Sequence, residues 1–223
     1  MSRLDEELQR LYGLPQGERR ALVLELARPA DWDALGRVWR GVQADLELPA
    51  PAIAVSGSDG LQLWFSLQQP VDAGVATALL TQLQARYLPE LAPTRVRLRP
   101  AADGSGWPAG PVPAPQPDGE RWSAFIAPDL APVFADTPWL DLPPGTDGQA
   151  DLLAPLQPIT PAALDAALAK LAPASPTAPQ PAQPADLDPR RFLQSVVNDA
   201  TAPLALRIQA AQALLTARDQ SCP

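Results

Sequence analysis

Proline fills 29 of the 223 positions, roughly 13% against an average of about 5%. It has no backbone N–H and a fixed φ, so it cannot sit inside helices or central strands. A good part of the chain must therefore be loop or linker. The apolar fraction, 46%, is that of a globular protein, so a core can still form. The absence of histidine excludes histidine general bases, Ser-His-Asp and Cys-His nucleophiles, and nearly all zinc sites. The single cysteine, Cys222, excludes an internal disulfide and fits a reducing, cytoplasmic setting. A net charge of −8 argues against non-specific coating of nucleic acid, which needs a basic surface. No apolar run approaches the roughly 20 residues of a membrane span, and Met1 to Arg10 is too polar and acidic for a signal peptide.

Between the prolines, hydrophobic spacing assigns the elements. Leu4, Leu8 and Leu11 predict a short amphipathic helix over residues 1–12, ended by Gly13 and Pro15. Residues 21–26 read as a strand closed by Pro29. Asp31 is the expected N-cap of a helix to about Asp45, with Trp32, Leu35, Val38, Trp39 and Val42 on one face. Residues 52–55 and 61–67 read as two strands joined by the turn Ser56-Gly57-Ser58-Asp59-Gly60. A helix over 72–87 turns Val75, Leu79, Leu80 and Leu83 inward, and residues 94–99 form a fourth strand.

The expected fold class is therefore α+β. The order βαββαβ is that of a ferredoxin-like antiparallel sheet with both helices on one face, β1 and β3 central, and the fourth strand beside the first. Alternation then divides the strands. Leu22, Leu24, Leu26, Ile53, Val55, Leu61, Leu63, Phe65, Leu67, Val96 and Leu98 point at the helices. Val23, Glu25, Ala52, Ala54, Ser56, Gln62, Trp64, Ser66, Arg95, Arg97 and Arg99 point to the open face, with Glu25 beside the arginines.

Beyond residue 100 the chain predicts an irregular loop to about 120, a strand over 122–126, a short helix over 128–134 with Trp139 nearby, and an alanine-rich helix over 161–171. The 107–140 segment is expected to cover part of the sheet. Residues 172–186 read as an extended Pro/Ala linker between a domain over 1–171 and a helical hairpin over 187–223. Asp188 and Pro189 open the first hairpin helix, Asn198-Asp199 breaks it, and Pro203 opens the second. Two such helices bury too little surface to fold alone.

Three segments on the open face carry a resemblance. Ser56-Gly-Ser-Asp-Gly-Leu-Gln62-Leu-Trp-Phe-Ser-Leu67 resembles the second motif of archaeo-eukaryotic-type primase-polymerases, a Ser-Gly turn leading into a strand that bears a histidine. Ala21-Leu-Val-Leu-Glu25-Leu-Ala27 stands where that family keeps two acidic residues one apart, and Arg95-Val-Arg-Leu-Arg-Pro100 resembles its third-motif strand. The resemblance covers about residues 20–140 and implies an RRM-like core. The departures decide what it implies about activity. Position 62 is Gln in place of the nucleotide-binding histidine, and Ala27 leaves Glu25 alone. Two-metal phosphoryl transfer needs several carboxylates to hold its ions, and arginines beside a lone glutamate pair with it and repel a divalent cation.

The expectation is a protein without enzyme activity, metal or cofactor: a primase-polymerase-like accessory module of replication. Its candidate nucleic-acid-binding residues are Arg95, Arg97, Arg99 and Trp64, the last as a stacking platform for single-stranded nucleic acid. The degenerate motif positions are Glu25, Ala27, Ser56, Gly57 and Gln62. Each has a plainer reading: charged edge strand for the arginines, ordinary core for Trp64. The stretch 198–215 resembles helical segments of phage-type proteins, including small terminase-like subunits, which implies a prophage or mobile-element setting. The alternative is a scaffolding protein that docks a partner through residues 187–218 and has no nucleic-acid role.

Overall fold

The two long strands, β1 (Ala21–Ala27) and β3 (Gly60–Ser66), are buried along their whole length, which requires cover on both faces of the sheet. In the computed structural model, residues 1–14, 20–106, 110–172, 189–199 and 204–219 are described. The chain divides into two units, Met1–Pro173 and Ala174–Pro223. The first is α+β, and its strands run antiparallel in the order β4-β1-β3-β2-β6-β5, with β2 at Ala52–Val55, β4 at Val96–Arg99, β5 at Ala114–Pro115 and β6 at Trp122–Ile126. β1 and β3 are central, β4 lies beside β1, and β6 and β5 extend the sheet past β2.

One face carries the apolar core. Leu22, Leu24, Leu26, Ile53, Val55, Leu61, Leu63, Phe65, Leu67 and Val96 gather there in the phase that alternation predicts, with Leu98 half-buried at the edge. Three helices close over this face: α2 (Trp32–Ala44), α3 (Ala73–Tyr87) and α5 (Pro161–Leu171). The Asp31 side chain accepts from the Ala34 N–H and starts α2, and Thr160 does the same for α5 through Ala163. In α3 the inward stripe is Ala76, Leu79, Leu80 and Leu83, at i, i+3, i+4 and i+7. Val75, expected to face inward, stands at the edge of that stripe and is 36% exposed.

The opposite face is not open, and the expectation of helices on one face only is corrected here. α1 (Arg3–Tyr12) and α4 (Thr146–Leu153) pack across it, forming a second core with Val23, Ala52, Ala54, Trp64, Val112 and Phe125. Ser2 and Asp5 form a capping box at the start of α1, and Gly13 ends it in the left-handed conformation at φ 66. Arg10 donates to the carbonyls of Leu153, Ala154 and Leu156 at and just past the end of α4, and so ties the two helices together. The Gln149 side chain on α4 acts as a short strand: its Oε1 accepts from Phe125 N at 2.7 Å and its Nε2 donates to Phe125 O at 2.9 Å. Of the cover expected from residues 107–140, Val112 provides part; α1 and α4 provide the rest.

In the second unit, α6 (Pro189–Asn198) packs on α7 (Leu204–Asp219), and Arg207 Nε donates to Val197 O. Ala210 is buried, while Leu206 and Ile208 are 52% and 50% exposed. The expected linker beyond Ala172, the Asp188 cap and Pro203 lie outside the described residues.

Candidate functional site

Register builds the site. β1 lies between β3 and β4, and Glu25 stands directly opposite Gln62 on one side and Arg97 on the other. Two residues along, Val23 stands opposite Trp64 and Arg99. All of these side chains share one face of the sheet. The β2 residues of the same rows are Ala54 and Ala52, whose small size leaves room for Trp64 and Phe125 to meet above them.

Glu25 is 1% exposed and fully engaged. Its Oε1 accepts from Arg97 Nη1 at 2.7 Å, and its Oε2 accepts from Gln62 Nε2 at 3.1 Å and from Arg99 Nη2 at 3.4 Å. Gln62 passes the chain on: its Oε1 accepts from the Trp64 indole N–H at 2.8 Å. On the other side Arg97 forks onto Asp59, Nη1 to Oδ1 at 2.9 Å and Nη2 to Oδ2 at 3.1 Å. Arg28 Nε donates to the same Oδ2 at 2.8 Å. The Arg97 bonds, and less strongly the Arg28 bond, hold the Asp59 carboxyl down at about 2. The same pairing, first with Asp59 and then with Glu25, pushes the Arg97 guanidinium's pKa up.

The turn between β2 and β3 positions Asp59. Ser56 Oγ accepts from the backbone N–H groups of Ser58, Asp59 and Gly60, which folds the turn around one hydroxyl. Gly57 takes φ +82, and a side chain there would press on the Ser123 backbone at 2.8 Å. At Gly60 a Cβ would come within 2.9 Å of Glu25 Oε1, so the glycine gives the buried carboxylate its room. A cleft of about 200 Å³ opens above the network, lined by Glu25, Gln62, Arg97, Arg99, Pro111 and Gln116 among others.

The structure brings Glu25, Gln62, Trp64, Arg97, Arg99 and the Ser56–Gly57 turn together, separates Arg95 from them, and buries the Trp64 ring. Arg95 is not on the strand. Pro93 starts a 3-10 turn over Pro93–Arg95, β4 begins at Val96, and Arg95 Nη2 donates to Pro29 O instead. Trp64 is on the expected face, but at 1% exposure it is no stacking platform. Tyr12 and Phe125 hold it edge-on at centroid distances of 5.4 and 5.7 Å, and its one polar atom is spent on Gln62. Ala27 is buried opposite Gly60 at the end of β1.

Arg28, Asp59 and Gln116 belong to the site without having been singled out as members. Asp59 looks wrongly charged for a phosphate loop, yet the register of β1 on β3 carries its turn to the end of β1, within reach of β4. Arg28 stands just past β1 in the left-handed region at φ 58, a strained backbone for a residue with a side chain, and this aims it at Asp59. Among the described residues no three carboxylates, cysteines or histidines converge as a metal ion's ligands would. One buried carboxylate saturated by two guanidinium groups and an amide suits an anchor for arginines better than a cation ligand.

Compared with known proteins, the chain matches no family, no curated protein and no solved structure.

Proposed function

We propose that the chain is a non-catalytic, primase-polymerase-like module that works by binding nucleic acid as an accessory to replication, in the cytoplasm of a cell that carries a phage or mobile element. The observation that carries this reading is the condition of Glu25. It is the remaining acid at the first-motif position, and both its oxygens are occupied by Arg97, Arg99 and Gln62. Nucleotidyl transfer would need that carboxylate for an ion, with a second acid beside it where the chain has Ala27. What the arrangement leaves available is positive charge at the cleft, and this supports binding. Among the described residues no helix is long and apolar enough to cross a membrane.

The test is paired. Purified protein supplied with Mg²⁺ or Mn²⁺, template and nucleotides should make no primer and extend none. Fluorescence anisotropy with labelled single-stranded DNA should show binding that weakens as salt rises. Primer synthesis overturns the non-catalytic half, and absence of DNA binding at low salt overturns the other.

The half-exposed Leu206 and Ile208 of the α6–α7 pair favour a second reading, a scaffold that docks a protein partner through residues 187–218. On that reading DNA binding is absent, and deleting residues 187–223 abolishes partner capture while the first unit keeps its melting temperature.

A further inference from the structure

We infer that the cleft beside Glu25 seats one singly charged oxyanion, a backbone phosphodiester of a nucleic-acid strand, on the Arg99 guanidinium. The inference rests on the binding reading above and makes it specific. It starts from a charge count. The cluster holds two carboxylates, Glu25 and Asp59, against three guanidinium groups, those of Arg28, Arg97 and Arg99. Guanidinium stays charged at any working pH, so one positive charge is surplus. In a chain of net charge −8, this is a place where the balance is locally reversed.

The surplus belongs to Arg99. Arg97 is committed to Glu25 and Asp59 through both terminal nitrogens, and Arg28, which spends its Nε on Asp59, does not line the cleft. Arg99 meets one described partner, Glu25 Oε2, at a long 3.4 Å, and its side chain is 37% exposed into the cleft. A guanidinium has five N–H donors in a flat fork, so Arg99 keeps most of them for a ligand. On the rim, Gln116 Nε2 spends one hydrogen on Ser56 O and keeps the other. The Ser58 hydroxyl is taken by Asp59. The Arg99 fork and the Gln116 amide are enough for the two free oxygens of a phosphodiester.

Charge selects the ligand. A phosphodiester carries one negative charge and neutralises the surplus. A phosphomonoester approaches two, and the second would stand against Glu25 and Asp59. The cleft, about 200 Å³, has room for a tetrahedral phosphate group beside Arg99. With Trp64 buried under Tyr12 and Phe125, bases find no platform there, so the contact reads backbone and not sequence.

The test uses the full chain in native, Arg99→Gln and Arg99→Lys forms, with an unphosphorylated labelled DNA strand titrated at several salt concentrations. One phosphate contact gives a slope of log K on log salt of about −0.7 for a single strand. The native protein should show that slope, Arg99→Lys should keep it, and Arg99→Gln should bring it near zero while circular dichroism shows the fold intact. In parallel, dimethyl phosphate should shift the amide resonances around the cleft in the native protein and not in Arg99→Gln. An Arg99→Gln slope equal to the native one overturns the inference while the binding reading survives. Acetate shifting the same resonances where dimethyl phosphate does not overturns the phosphodiester assignment. Dimethyl phosphate binding with no DNA binding at all overturns the nucleic-acid reading and leaves an oxyanion cleft.

Discussion

The two faces of the sheet are written by the same strands and are built on different principles. On the first, β1 contributes Leu22, Leu24 and Leu26 and β3 contributes Leu61, Leu63 and Phe65, all fully buried against helices. Such side chains need only to be apolar and of the right volume. On the second, the same strands contribute Val23 and Glu25, then Gln62 and Trp64. Half of that face is a second core, where Tyr12, Trp64 and Phe125 pack under α1 and α4. The other half is a line of polar side chains running Trp64, Gln62, Glu25, Arg97, Asp59, Arg28, each satisfied by the next. A buried polar line works only when every member has its partner. The comparison shows where a functional reading can attach: to the face whose residues are not interchangeable.

The largest effect tests whether the second face is a core at all. Trp64→Ala should cost about 3–5 kcal/mol, since it removes the ring at the centre of the aromatic cluster and orphans Gln62 Oε1. Leu24→Ala, its counterpart on the helix-covered face, should cost about 2–5 kcal/mol. Denaturant unfolding of both variants makes the comparison. A Trp64→Ala variant as stable as the native chain would mean that α1 and α4 merely rest on the sheet.

A smaller loss is expected at the ionic end. Glu25→Gln keeps the shape but removes the charge that Arg97 and Arg99 converge on, and should cost about 1–3 kcal/mol. The same substitution idea at Leu24, Leu24→Met, should stay below about 1.5 kcal/mol, because volume is what that face requires. Equal losses from the two conservative variants would erase the distinction between the faces.

The smallest effect is a pH limb. In the folded chain the Asp59 carboxyl is depressed from 3.8 to about 2. The unfolded state therefore takes up its proton first as pH falls. The stability this pairing contributes is present above about pH 4 and is lost progressively as pH falls from 3.8 towards 2. Thermal melts of native protein and Asp59→Asn across that window should converge at the acid end. Parallel curves at all pH values would show that the Arg97 fork does not act on Asp59 in solution.

Much of the fold was legible because β1 and β3 alternate strongly. Leu-Val-Leu-Glu-Leu and Leu-Gln-Leu-Trp-Phe sort themselves onto two faces by period alone, and the pairing of Glu25 with the β4 arginines follows once β4 is set beside β1. Less legible was what lies over the second face. The leucines of α1 declare an amphipathic helix but not which surface receives it. α4, Thr-Asp-Gly-Gln-Ala-Asp-Leu-Leu, has too few apolar residues to show a stripe, and it is held instead by Gln149 on the Phe125 backbone and by Arg10. In the site, Glu25, Gln62, Arg97 and Arg99 could be read from register, whereas Arg95 was lost to the turn that Pro93 starts and Asp59 and Arg28 meet only through loop geometry. Alternation reports facing within strands and is silent where a turn folds back.

The central claim is that Glu25 anchors arginines and does not hold a catalytic ion. Isothermal titration of the native protein with Mn²⁺, with Glu25→Gln as the reference, tests it most directly. The account predicts no saturable binding in either protein up to millimolar Mn²⁺. Saturable binding to the native chain that disappears in Glu25→Gln would place a metal on that carboxylate and contradict it.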